Sequence, residues 1–192
     1  MRHLVLASGS VYRARQLGTL GLEFDTCPAD IDETPAACEP AADLVQRLSL
    51  QKARTAASRH PAAVVIGSDQ VATLDQTVIG KPGTRENARR QLLNASGRSL
   101  RFVTGLCVLD PAMPTPQMGI DITTVRFRTL RDEEIERYLD KEEPLDCAGS
   151  FKCEGLGISL FDAIETRDPS ALIGLPLIAL GRMLRECGFP VP

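Results

Sequence analysis

Leu4 to Ala7 opens the chain with a short apolar run, broken at once by Ser8-Gly9-Ser10. Apolar residues then return at helical spacing through Leu17 and Leu20 and stop near Gly21. This pattern predicts a strand, a tight turn and a helix. Glu23–Cys27 reads as a second strand and residues 28–40 as a loop. Ala41–Arg59 reads as a long helix, ended by His60-Pro61 because a residue before proline is pushed out of the helical region.

Val64–Leu74 is rich in β-branched residues and reads as a strand with a polar interruption at Gly67-Ser68-Asp69-Gln70. Asp75-Gln76 should turn it back into Thr77-Val78-Ile79. Thr84 then suits an N-cap, with Glu86 in the first turn of a helix reaching Ala95. Leu100–Leu109 and Ile120–Leu130 read as strands either side of a proline-rich flexible loop over 111–116, and Asp132–Lys141 as a helix. The last third holds a glycine-rich loop over 146–157, an apolar run over 158–161 and a helix over 176–187. Alternation of this kind predicts an α/β fold with a mixed sheet. Ligands in such folds collect at the strands' carboxyl ends, so the turns at Ser8-Gly9-Ser10, Gly67-Ser68-Asp69 and 146–157 are expected to line one cleft.

At 192 residues the chain suits one domain, or one with two lobes. Twenty-two Lys and Arg against 25 Asp and Glu leave a net charge of −3, Trp is absent, and only eight residues are Phe or Tyr. A nucleic-acid partner is therefore not expected, since such proteins carry basic patches and stacking platforms. None of the six cysteines stands in a Cys-x-x-Cys pair, and only His3 and His60 could join them, which argues against structural zinc. The first apolar run is too short for a signal-peptide core, and no stretch approaches the roughly 20 apolar residues of a membrane span. The expectation is a reduced cytoplasmic protein.

Several residues could do chemistry, and each also has an ordinary structural reading. Ser8-Gly9-Ser10 opens a helix carrying Arg13 and Arg15, which is either a phosphate seat or a plain serine cap. Leu44, Leu48 and Lys52 share one helix face, so Lys52 either lays its stem along apolar surface or points its ammonium into a cleft. Lys81 sits in the rigid turn Gly80-Lys81-Pro82, and Asp32 and Glu33 lie in a loop. Asp69 interrupts an apolar strand, where a carboxylate is costly unless it meets a metal, a cation or a cleft; its alternative is a capped turn. Together these groups suit a polyphosphate with a divalent ion, Asp69 taking the proton of an attacking water.

At these residues the sequence resembles the Maf family of nucleoside triphosphate pyrophosphatases. The matching segments are Leu6-Ala7-Ser8-Gly9-Ser10 with Arg13, Asp32-Glu33-Thr34-Pro35, Lys52-Ala53, Gly67-Ser68-Asp69-Gln70, Gly80-Lys81-Pro82, Ser96-Gly97, Pro144-Leu145-Asp146-Cys147-Ala148-Gly149 and Gly174-Leu175-Pro176-Leu177. The resemblance runs from Leu4 to about Leu184. It implies a Maf/inosine-triphosphatase-like mixed sheet with flanking helices, a single domain over 1–192 with two lobes around a central cleft, and a possible homodimer. It also implies an acid-anhydride hydrolase that releases diphosphate from a nucleotide, with Mg²⁺ or Mn²⁺. The acid/base carboxylate falls on Asp69, phosphate binding on Ser8, Arg13, Lys52 and Lys81, and the metal on Glu33 and Asp69.

Within the family, Tyr12, Gln70, Glu154 and the segment from Cys147 to Gly155 resemble the subgroup acting on 7-methyl-GTP. Members acting on dTTP and UTP have Arg, Thr and Gln at the three positions. The physics agrees with the resemblance. N7-methylation makes guanine cationic, so an aromatic face gains about 0.5–2 kcal/mol, and Glu154 can accept from the base's N–H groups. Val11 stands where the family has proline, and Tyr12 where the subgroup has Trp. The rival readings are a dTTP/UTP pyrophosphatase and a nucleotide-binding regulator of septum formation.

Overall fold

The computed structural model describes residues 2–192. In chain order the main elements are β1 (Leu4–Leu6), α1 (Val11–Gly18), β2 (Asp25–Thr26), α2 (Ala41–Arg59), β3 (Val64–Leu74), β4 (Thr77–Ile79), α3 (Arg85–Ala95), β5 (Ser99–Leu109), β6 (Gln117–Phe127), α4 (Asp132–Lys141), β7 (Phe161–Glu165) and α5 (Leu177–Glu186). The strands form a seven-stranded sheet in the order β2-β1-β3-β5-β6-β7, with β4 paired to β3. The sheet is mixed as expected: β1 runs parallel to β2 and β3, whereas β3–β4 and β6–β7 are antiparallel. Among the described residues no helix is long and apolar enough to cross a membrane.

The described residues divide into two compact units, the first comprising residues 2–70, 104–121 and 168–192, the second 71–103 and 122–167. In the first unit the alternation of strand side chains builds two apolar layers. Leu4, Leu6, Val64, Ile66, Leu106 and Val108 pack with Leu17 of α1 and with Leu180, Met183 and Leu184 of α5. Val5, Ala7, Val65 and Cys107 face the other way, onto Ala53 and Ala56 of α2. Helix α2 comes unusually close to the sheet. A Cβ at Gly67 would lie 2.1 Å from the Ser49 carbonyl oxygen, and one at Gly105 would lie 2.4 Å from that of Val45. Only glycine permits this spacing, and it sets the height at which α2 presents Lys52.

The second unit is built around aromatic rings. Phe151 meets Phe102, Phe127 and Phe161 edge-on at centroid separations of 5.3, 5.7 and 4.7 Å, the offset geometry that ring quadrupoles favour. The β3–β4 turn places Asp75 at φ 48° and Gln76 at φ 68°, the doubly left-handed turn that matches strand twist. Thr84 caps α3 by accepting from the Asn87 N–H at 3.2 Å. Arg85 and Arg89 on α3 pair with Asp132, Glu136 and Asp140 on α4.

Three expectations need correction, and two elements were missed. The polar stretch Gly67-Ser68-Asp69-Gln70 is no turn: β3 runs through it unbroken, because ladder pairing satisfies its backbone and the small residues make room for α2. The strand expected over Glu23–Cys27 contracts to Asp25–Thr26, an exposed edge. The strand expected over Ile120–Leu130 lies three residues earlier. The Leu130 N–H is taken by the Ser96 hydroxyl and the Arg128 carbonyl by the Gly97 N–H, so the strand ends before them. Strand β7 and the 3₁₀ turn Pro169–Ile173 were not visible in the apolar pattern.

Candidate active site

In the first unit, three chain segments bring ionic groups together. Strand β3 presents Asp69, only 6% exposed, and α2 presents Lys52, 7% exposed, at the third step of its Leu44, Leu48, Lys52 face. The Lys52 Nζ lies 2.6 Å from Asp69 Oδ1 and 2.6 Å from Glu33 Oε1. Lys52 therefore turns its ammonium toward carboxylates, and the snorkelling alternative is closed. Glu33 reaches this point from the loop over 28–40 with its own side chain exposed. Contacts with two carboxylates fix the direction of this buried side chain.

Arg13 stands beside this cluster. Its Nε donates to the Gly174 carbonyl and its Nη1 to the Ser68 carbonyl, both at 2.9 Å. Removal from water pushes its guanidinium below the usual value, and the charges of Asp69 and Glu33 oppose that shift. With two cations and two anions the group is close to neutral before a ligand arrives. Ser8 is buried, and its Oγ accepts from the Ser10 N–H at 3.1 Å. Ser10 caps α1 by accepting from the Arg13 N–H at 3.4 Å, so Val11 in place of proline leaves the helix start intact. Tyr12 is half-buried on the first turn of α1.

Gln70 follows Asp69 and faces the opposite side of the strand. Its Nε2 lies 2.9 Å from Thr104 Oγ1 and 2.8 Å from the Ala171 carbonyl. Its amide nitrogen thus anchors the Pro169–Ile173 turn.

The sequence reading missed this turn and the latch around it. Asp168 accepts from the Ser170 N–H at 3.0 Å and from the Ile178 N–H at 2.8 Å, and Ser170 Oγ accepts from the Leu177 N–H at 2.7 Å. Gln16 donates to the Ser170 carbonyl at 2.7 Å. Ser68 Oγ sits 2.8 Å from the Gly105 carbonyl and 2.9 Å from that of Gly174. Gly174, at φ 121°, is the shared acceptor for Arg13 and Ser68, and a Cβ there would come 3.1 Å from Arg13 Nε. The one clue in the sequence was Gly174 itself, ahead of Leu175-Pro176.

Lys81 and Glu154 belong to the second unit. Lys81 is exposed on a turn pinned on both sides, by Gln91 Nε2 on the Gly80 carbonyl at 3.1 Å and Asn87 Nδ2 on the Pro82 carbonyl at 2.9 Å. Glu154 is exposed in a tight turn closed by the Gly155 N–H on the Lys152 carbonyl. The Cys153 thiol donates to Glu154 Oε2 at 3.5 Å.

A divalent cation fits the donors present. Two carboxylate oxygens, from Glu33 and Asp69, already face one positive centre. Among the described residues no three or more His, Cys, Asp or Glu side chains gather into a metal-holding group. Glu33 and Asp69 are the two carboxylates that would hold such an ion, and Mg²⁺ takes one or two carboxylates with phosphate and water.

A mixed α/β sheet carrying these segments defines a family: the chain belongs to the Maf-like proteins, whose model matches residues 3–187. Curated relatives match it over all or nearly all of its length. The 7-methyl-GTP pyrophosphatase of Xanthomonas axonopodis pv. citri is 54% identical over 192 residues, covering 100% of both chains. That of Pseudomonas aeruginosa is 50% identical over 192 residues, again covering 100% of both. That of Nitrosococcus oceani is 49% identical over 188 residues, 98% of this chain and 94% of the relative.

Proposed function

We propose that this protein hydrolyses 7-methyl-GTP to 7-methyl-GMP and diphosphate, clearing a modified nucleotide from the cytoplasmic pool. The observation that carries the reading is the buried Lys52–Asp69 pair with Glu33 at the same ammonium, in a chain about half identical to pyrophosphatases of that name across its length.

Asp69 takes a proton from water as the water oxygen bonds to the α-phosphorus. The bond from that phosphorus to the α–β bridging oxygen breaks, and diphosphate leaves with the electron pair. Lys52 fixes the carboxylate's direction and leaves its second oxygen for the proton. Arg13, Lys52 and Ser8 bind phosphate oxygens, where preorganised donors stabilise the charge that grows in the transition state, and the family resemblance gives Lys81 a phosphate-binding role as well. Glu33 and Asp69 would hold a divalent cation, which when bound neutralises phosphate charge. Tyr12 offers its ring face to the cationic base, and Glu154 accepts from the base's N–H groups. Gln70 shapes the same recognition by holding the Ala171 carbonyl.

The test is diphosphate release from 7-methyl-GTP, GTP, dTTP, UTP and CTP, with Mg²⁺ and with chelator. Metal-dependent release that favours 7-methyl-GTP is expected. Preference for dTTP or UTP would overturn the base reading, and no release from any nucleotide would overturn the hydrolytic one.

A further inference from the structure

Glu33 contributes to the cluster from a loop that has neither helix nor strand to hold it, which raises the question of what aims its side chain. The answer lies on α2, the helix that also carries Lys52. Arg47 Nε donates to Glu39 Oε1 and Nη2 to Glu39 Oε2, both at 2.7 Å, a two-pronged fork on one carboxylate. The same Nη2 lies 3.2 Å from the carbonyl of Thr34, the residue after Glu33. Glu39 in turn accepts from the Ala36 N–H at 2.9 Å, and Asp32 accepts from the Thr34 N–H at 2.9 Å. The pair is shielded, with the Glu39 side chain 10% exposed, and the Arg47 guanidinium holds its carboxyl down at about 2.

We infer that Arg47, through its fork on Glu39 and its bond to the Thr34 carbonyl, is the positioning residue that aims Glu33 at Lys52. One rigid guanidinium ties residues 34 and 39 of the loop to the helix that bears the site lysine, so the carboxylate and the ammonium share a single frame. Lysine can replace it only in part, because a point charge on a flexible stem cannot hold a carboxylate and a carbonyl in one plane. The inference rests on Glu33 being part of the proposed phosphate and cation site, and one of its readouts is independent of turnover.

That readout is the rate at which an amine-modifying reagent labels Lys52 in the protein alone, with exposed Lys141 as internal reference, in Glu33→Gln, Arg47→Ala, Arg47→Lys and the double variant Arg47→Ala/Glu33→Gln. Loss of one carboxylate partner should raise Lys52 labelling about two- to fivefold. Arg47→Ala should match Glu33→Gln, the double variant should exceed neither, and Arg47→Lys, which keeps charge and fold, should fall between wild type and Arg47→Ala. In turnover of 7-methyl-GTP, Arg47→Lys should raise the Mg²⁺ concentration for half-maximal rate severalfold with kcat at saturating Mg²⁺ retained. A merely structural loss would instead lower kcat at every Mg²⁺ concentration. Lys52 labelling unchanged by Arg47 substitution, or effects that multiply in the double variant, would overturn the inference. Absence of turnover in the wild type would overturn the proposed function instead, and the labelling would still decide this one.

Discussion

Lys52 Nζ and Asp69 Oδ1 meet at 2.6 Å from a helix and a strand 17 residues apart in the chain. This pair gives the sharpest expectation. Asp69→Asn keeps the shape and one oxygen for Lys52, so the protein should still fold. It removes the proton acceptor, so kcat should fall by about 10²–10⁴. Steady-state kinetics beside a thermal melt check it. Turnover within tenfold of wild type would sink the role given to Asp69.

Glu154 is expected to set base preference. Glu154→Gln keeps the side chain's length but loses the charge that complements a methylated guanine. The ratio of kcat/KM for 7-methyl-GTP over GTP should drop about tenfold or more, the scale of a hydrogen bond to a charged group. An unchanged ratio would remove Glu154 from the recognition of the base.

The approach of α2 to the sheet predicts opposite outcomes for two glycines. Gly67→Ala would drive a methyl into the Ser49 carbonyl at 2.1 Å and should cost about 3 kcal/mol, the upper range of overpacking. Gly18, the last residue of α1, has nothing within 4 Å of a new Cβ, so Gly18→Ala should gain about 0.5–1 kcal/mol. Urea unfolding of both variants measures the difference, and equal midpoints would contradict the close packing.

Acid should weaken the fold through Glu134. Its carboxyl accepts from the Arg131 N–H at 2.9 Å and pairs with Arg128 at 3.0 Å, which brings it down to about 2 from 4.5. The folded state therefore holds this proton less tightly than the unfolded one. Glu134 stabilises fully above about 4.5, and its contribution fades as pH falls toward about 2. Glu134→Gln should melt below wild type at pH 7, with the gap narrowing at pH 3. A gap independent of pH would refute the pairing as its source.

Thiol reactivity should follow burial. Cys38 is exposed, whereas burial pushes the Cys107 thiol up to about 12 and the Cys187 thiol to about 11. At pH 8 Cys107 should be thiolate in about one part in 10⁴. A thiol reagent should therefore label Cys38 in the native protein and Cys107 only on unfolding. Labelling of Cys107 at the Cys38 rate would contradict its packing.

Much of this molecule was legible in the chain because local physics dictated it. Ala41–Arg59 and Asp132–Lys141 match their helices residue for residue, since apolar spacing and stop signals act within a few residues. The same holds for the hairpin at Asp75-Gln76 and the Thr84 cap. Asp69 stood out because a lone carboxylate in an apolar strand needs a partner, and Lys52 because it continued an apolar helix face. What the chain could not show was the partner itself. Whether Lys52 turned outward or inward, and whether Gly67–Gln70 bent or ran straight, depended on α2 lying close enough to the sheet to exclude any Cβ at Gly67. The latch of Asp168 and Ser170 around Gly174 and the fork of Arg47 on Glu39 likewise exist only in three dimensions. Sequence determined which groups could form pairs, because charge and periodicity belong to single segments; the tertiary structure decided which pairs formed, because hydrogen-bond geometry is set by the packing of segments far apart in the chain.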